Sequence, residues 1–181
     1  MSRGGNRKIQ ERCAVIVELV QRMQPMYKAS LTSDYQRHHI ETIVGAGIWY
    51  IPNKSLWTGK ISVEAIKSFH PDSQVTKPKL TEDHQFPRKV AARALLEFDW
   101  SKSPNPTNEM VKMYTEKYGT FNLITSRENR DLMKFQKVEV FITPQIAYAN
   151  AGIILVDIQV QQLQLIKRRD YATIEAVLDG L

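Results

Sequence analysis

Apolar residues recur from Ile9 through Cys13, Ile16, Val17, Val20 and Met23, the spacing of one buried helical face. Pro25 is expected to end or kink that helix. Ser33, with Gln36 three residues on, forms a capping-box pattern ahead of Ile40, Ile43, Val44 and Ile48. A second helix follows from Asp34 to about Ala46, with "GAGIW" at 45–49 as its C-cap. The turn-rich "IPNKSLWTGK", with Pro52, Asn53 and Gly59, predicts a loop or a short irregular hairpin. Ser62 caps a short helix that Pro71 closes.

Strand formers gather around Val75, Thr76 and Leu80, with Pro78 making that strand bent or peripheral. Past Pro87, Val90, Ala94, Leu95 and Phe98 predict a helix with proline just outside its start. Glu109 to Tyr118 reads as another helix stopped by Gly119, "TFNLIT" as a short strand, and "SRENRDLMKFQK" as a further helix. Thr143 and Pro144 open a helix that Gly152 ends. Alternation from Ile154 to Val160 predicts a strand, residues 161–169 a helix, and Tyr171, Ile174 and Leu178 the apolar face of a last one. The class is α+β, with a helical region at 1–72, a core at 73–142 and a helical or strand region at 143–181.

Composition narrows the function classes. Hydrophobic residues make up 43% of the 181 and charged residues 24%, so the chain can bury a core. The net charge of +6 permits a polyanionic partner. A charged N-terminus and the interruption of "CAVIV" by Glu18 argue against a signal peptide or membrane span, and an intracellular, cytoplasmic protein is expected. Cys13 alone can build neither a disulfide nor a cysteine zinc cage, and its helical spacing marks it as a small buried hydrophobe.

The chemistry concentrates in "EDHQFP", with Asp83 and His84 ahead of Pro87, and in "FNLITSRENR", with Asn122 and Asn129. These two stretches resemble the HNH, or His-Me finger, nucleases: an acidic residue directly before a histidine at the end of the first strand, and an asparagine on the helix after the second, with a threonine shortly before it. The resemblance implies a ββα-metal core embedded in additional helices. It also implies a metal-dependent DNA endonuclease, of the homing type found in phages and mobile elements, or a type II restriction enzyme. Asp83 and Asn129 would hold one Mg²⁺ or Mn²⁺, His84 would activate water, and Asn122 would order the loop. No structural zinc is expected, and Val90, Leu95, Leu96 and Tyr118 would brace the motif instead.

Such residues suit phosphodiester hydrolysis. Histidine accepts a proton near neutral pH, and a hard cation that keeps several waters needs few oxygen ligands from the protein. Arg88, Lys89, Arg127, Arg130, Lys134 and Lys137 would position double-stranded DNA by its phosphates. Cutting both strands with one site per chain suggests a homodimer or two successive nicks. The competing reading is a nucleic-acid-binding protein without catalysis, which needs only the basic residues. His38, His39 and Glu41 lack the spacing of a helical metal site and read as a surface or partly buried helix face. His70 reads as a helix-end residue.

Overall fold

The computed structural model describes residues 3–51 and 56–181. Its elements in chain order are α1 (Arg3–Lys28), α2 (Asp34–Trp49), β1 (Trp57–Ser62), α3 (Val63–Ser68), β2 (Leu80–His84), α4 (Arg88–Glu97), α5 (Pro106–Met113), β3 (Phe121–Thr125), α6 (Ser126–Leu132), α7 (Pro144–Asn150), β4 (Leu155–Asp157), α8 (Val160–Lys167) and α9 (Tyr171–Leu178). A π-helical turn at Tyr114–Tyr118 extends α5 and a 3₁₀ turn at Met133–Phe135 extends α6. Helices with a small mixed sheet make the fold α+β. The turn expected at Pro52 and Asn53 lies outside the described residues, as do the side chains of residues 1–6.

The chain divides into two compact units that interleave along the sequence. One comprises Met1–Leu56, His84–Thr120 and Lys137–Glu139; the other comprises Trp57–Asp83, Phe121–Gln136 and Val140–Leu181.

The first unit is helical: α1 packs against α2, α4 and α5. Its core takes Ile9, Cys13, Ile16, Val17 and Val20 from α1, as the spacing predicted, together with Val44, Leu95, Leu96, Met110 and Tyr114. Burial pushes the Cys13 thiol up to about 12, which leaves it an inert core residue. Pro25 does not end α1, which runs on to Lys28. The proline sits in the last turns, where it removes one backbone donor close to the helix end.

Helix α2 begins as predicted, with the Ser33 hydroxyl and the Gln36 side chain forming the reciprocal cap. It does not stop near Ala46, however, but continues to Trp49. The two glycines serve packing. A Cβ on Gly45 would lie 3.1 Å from the Arg88 backbone oxygen, and one on Gly47 would lie 2.6 Å from Ile16 Cδ1. Close approach of α4 and α1 to α2 therefore outweighs the weak helix propensity of glycine. On the same helix, fully buried Glu41 accepts from Arg93 Nε at 2.8 Å and from the Tyr27 hydroxyl at 2.9 Å, tying α2 to α4 and α1.

The second unit is built on a sheet of order β2-β3-β1-β4. Strand β1 runs parallel to β3 and antiparallel to β4. Thr81 near the start of β2 meets Ser126 just past the end of β3, and the Gln85 N–H after β2 donates to the Thr120 carbonyl before β3, so β2 and β3 run antiparallel. Strand β1, an interior strand, falls where the sequence predicted a loop or hairpin. It is short, its Gly59 has φ +84°, and its register with β3 shifts between Trp57 and Ile61, so it presents little regular alternation to read.

Ile61, Ile66, Leu123, Leu163, Ile166 and Ile174 form the larger core of this unit, and Ile124, Leu132, Ala147 and Tyr148 a smaller one. Two strand expectations shrink. Val75 and Thr76 are not in a strand; their carbonyls accept from Arg169 Nη2 at 2.8 and 2.9 Å. The strand expected over Ile154–Val160 covers only Leu155–Asp157, because the Gln159 N–H donates to the Gln162 side chain and opens α8.

Candidate functional site

Strand β2 ends on Asp83 and His84, and the division between the units falls between them. Each is therefore placed within its own unit.

In the sheet unit, Asp83 is 5% exposed. Tyr148 on α7 donates its hydroxyl to Asp83 Oδ2, and Gln136 Nε2 donates to Oδ1 at 3.0 Å. Asn122 Nδ2 donates to the Tyr148 oxygen at 2.9 Å, and the Thr58 hydroxyl donates to Asn122 Oδ1. A directed chain thus runs from Thr58 on β1 through Asn122 on β3 and Tyr148 on α7 to the carboxylate. Asn122 is fully buried, and both ends of its amide are used within this chain. It acts on Asp83 through Tyr148.

Three carboxylates are buried among the described residues. Glu41 has Arg93. Glu128 closes the capping box of α6, receiving the Thr125 N–H at 2.8 Å and the Ser62 hydroxyl at 2.7 Å. Asp83, like Glu128, has no cationic side chain within ion-pair distance among the described residues; its partners are a hydroxyl and an amide. Burial raises its pKa above the usual carboxylate value, against the lowering effect of the Tyr148 and Gln136 bonds. Because the folded pKa is raised, this group's contribution to stability is full below about pH 3.9 and is lost as pH rises through the folded value. Ionised Asp83 is thus a cost in the protein without a cation. The same burial pushes the Tyr148 phenol far up, reinforced by the Asp83 charge and hydrogen bond, so Tyr148 is a fixed donor at neutral pH.

Tyr148→Phe tests the chain. It removes the donor to Asp83 and leaves the Asn122 amide without its acceptor, so a loss of about 1–3 kcal/mol is expected in urea unfolding. An unchanged midpoint would show that the chain carries no strain-free stability of its own.

Asn129 is half-buried on α6, one turn beyond the Thr125 cap. The "TSRE" of the motif is itself a capping box, with Thr125 Oγ1 accepting the Glu128 N–H at 3.1 Å. Asp83 and Asn129 are oxygen donors suited to a hard divalent cation that keeps part of its water shell, and the buried carboxylate lacking a cation fits such an ion. Among the described residues no three His, Cys, Asp or Glu side chains converge on one metal position.

In the helical unit, His84 is half-buried beside Trp49, with ring centroids 4.9 Å apart. Burial lowers its pKa below the ordinary histidine value, a hydrogen bond to the Tyr118 backbone carbonyl works upward, and the Arg88 charge works downward. The carbonyl takes one ring N–H, so the neutral imidazole carries its lone pair on the other nitrogen. Leu95, Leu96 and Tyr118 lie in this unit's core, whereas Val90 is only half-buried.

Arg88, Lys89 and Lys137 are exposed on the helical unit; Arg127, Arg130 and Lys134 are exposed on the sheet unit. The sheet unit also has an open cleft of about 660 Å³ whose lining mixes Lys67, Lys77, Lys79 and Arg127 with Glu64, Glu128 and Asp131. Of these, only Arg127 was marked in the sequence. Thr58, Gln136, Tyr148, Lys77 and Lys79 were missed: no local motif marks a residue that acts only through a partner distant in the chain. His38 and His39 are exposed, and His70 sits at the end of α3 with Nε2 3.0 Å from Glu175. No helix among the described residues is long and apolar enough to cross a membrane. No protein-family model, no curated protein and no solved structure matches the chain.

Proposed function

We propose that the protein is a metal-dependent DNA endonuclease of the His-Me finger type, hydrolysing phosphodiester bonds. The observation that carries the reading is Asp83: a buried carboxylate held in place by Tyr148 and Gln136, with no positive partner among the described residues. Buried charges in proteins are paired or coordinate metals, and leaving one uncompensated costs several kcal/mol. The order β2, β3, α6, with β2 and β3 adjacent and antiparallel, supports a ββα arrangement.

Asp83 and Asn129 would hold one Mg²⁺ or Mn²⁺, which when bound neutralises charge on the phosphate and the leaving oxygen. The chain's own residues do the rest. His84, neutral at physiological pH, accepts the proton of the attacking water, with its tautomer set by the Tyr118 carbonyl. Tyr148, itself held by Asn122, keeps the Asp83 carboxylate from rotating. Lys77, Lys79 and Arg127 along the cleft take backbone phosphates, as do Arg88, Lys89, Arg130, Lys134 and Lys137 on their own surfaces. A homing or restriction role and a dimer for double-strand cutting belong to the same proposal.

Supercoiled plasmid incubated with the purified chain should be nicked or linearised in Mg²⁺ or Mn²⁺ and left intact in EDTA. Binding without cutting in either metal would favour a nucleic-acid-binding protein without catalysis.

A further inference from the structure

The end of α2 carries two aromatic residues that the core does not use. Trp49 is 51% exposed and Tyr50 71% exposed, while Trp100 in the same unit is 4% exposed. Half of the surface of Trp49 is open to solvent, yet its position is fixed: the Arg88 guanidinium lies 4.2 Å from its ring centroid and the His84 ring 4.9 Å away. Ile48, Phe86, Ala91 and Tyr118 back this cluster, leaving a gap of about 10 Å³, so the indole rests on a packed floor. A half-open indole with an exposed guanidinium over one ring face joins an aromatic stacking surface to a phosphate-binding charge.

From this cluster we infer that Trp49 and Arg88 form a platform for one unstacked base of a DNA strand, Trp49 stacking on the base and Arg88 meeting an adjoining phosphate. In paired duplex both faces of a base are covered by its neighbours, so only a single-stranded, frayed or flipped base can reach the ring. The substrate class is therefore DNA with an unpaired base next to the phosphate that His84 serves. This placement of the phosphate rests on the nuclease reading of His84; the stacking itself does not.

The experiment uses the full chain in EDTA, which prevents cutting. Binding is followed by anisotropy and by 2-aminopurine emission, on a single-stranded oligonucleotide and on its fully paired duplex. The wild type should bind the single strand and quench the 2-aminopurine. Trp49→Ala should weaken that binding about 5- to 100-fold and abolish quenching, Trp49→Phe should keep most of both, and duplex binding should change little. Melting of Trp49→Ala should stay near wild type, because the ring is half exposed. Single-strand binding that Trp49→Ala leaves intact, a loss equal on both substrates, or no single-strand binding by the wild type would each overturn the inference. Cutting of the single strand and of plasmid in Mn²⁺, run in parallel, separates the two readings: cutting without stacking leaves the nuclease standing, and stacking with neither substrate cut removes it.

Discussion

Replacing His84 with alanine should lower metal-dependent cutting by about 10²- to 10⁴-fold, the usual contribution of a positioned general base. DNA binding should change far less, because the phosphate contacts assigned to lysine and arginine remain. The pH profile gives an independent check. Burial and the Arg88 charge hold the imidazole below its ordinary pKa, so the acid limb of the rate should have its midpoint below about pH 6.5. The same shift has a stability consequence of matching sign. The unfolded chain protonates His84 first, so stability from this group is lost as pH falls below about 6.5. Single-turnover rates between pH 5 and 8 check the first point. A His84→Ala protein that cuts at the wild-type rate would falsify the assignment.

Replacing Arg93 with alanine should produce the largest loss of stability outside the apolar core, about 3 kcal/mol. Glu41 has no exposed surface, and Arg93 supplies its cation. Removing one partner of a buried pair strands the other charge, which costs roughly 3–5 kcal/mol. The lower figure is apt because the Arg93 side chain is 35% exposed, so water reaches part of the vacated space. Desolvation, the largest single effect, works against the charged guanidinium, but the Glu41 hydrogen bond and charge together with Tyr27 outweigh it and leave its pKa raised. Tyr27 marks the other end of the cluster: burial first, then the Glu41 hydrogen bond, push its phenol up to about 12. Urea unfolding of Arg93→Ala checks the loss. Glu41→Leu combined with Arg93→Leu should recover much of it, since a buried ion pair adds little beyond an apolar pair of similar volume.

How far the sequence exposed this architecture depends on how local each determinant is. Caps were legible because their chemistry spans four residues: Ser33 with Gln36, Ser62 over α3, and Thr143 ahead of Pro144 all appear as expected. The apolar stripe of α1 was legible for the same reason. Extension of α2 past Ala46 was not, because it depends on the closeness of Arg88, distant in the chain. Strand β1 was not legible either: its partners Phe121, Leu123, Val156 and Asp157 lie far along the sequence, and its own six residues include a glycine with positive φ.

At the candidate site, "DH" and the two asparagines stood out in the sequence by residue type alone. What holds them was not. Tyr148 and Gln136 reach Asp83 across 65 and 53 residues of chain, and Glu41 looked like an ordinary helix-face carboxylate until Arg93 and Tyr27 met it.

In the proposed nuclease, a divalent metal would supply the cation that Asp83 lacks among the described residues. Titrating the protein with Mn²⁺ and reading free ion by electron paramagnetic resonance tests this without any substrate. The account predicts one site per chain in the wild type and its loss in Asp83→Asn, with a rise in melting temperature on metal addition that only the wild type shows. Mn²⁺ binding that is absent from the wild type, or that Asp83→Asn leaves unchanged, would contradict it.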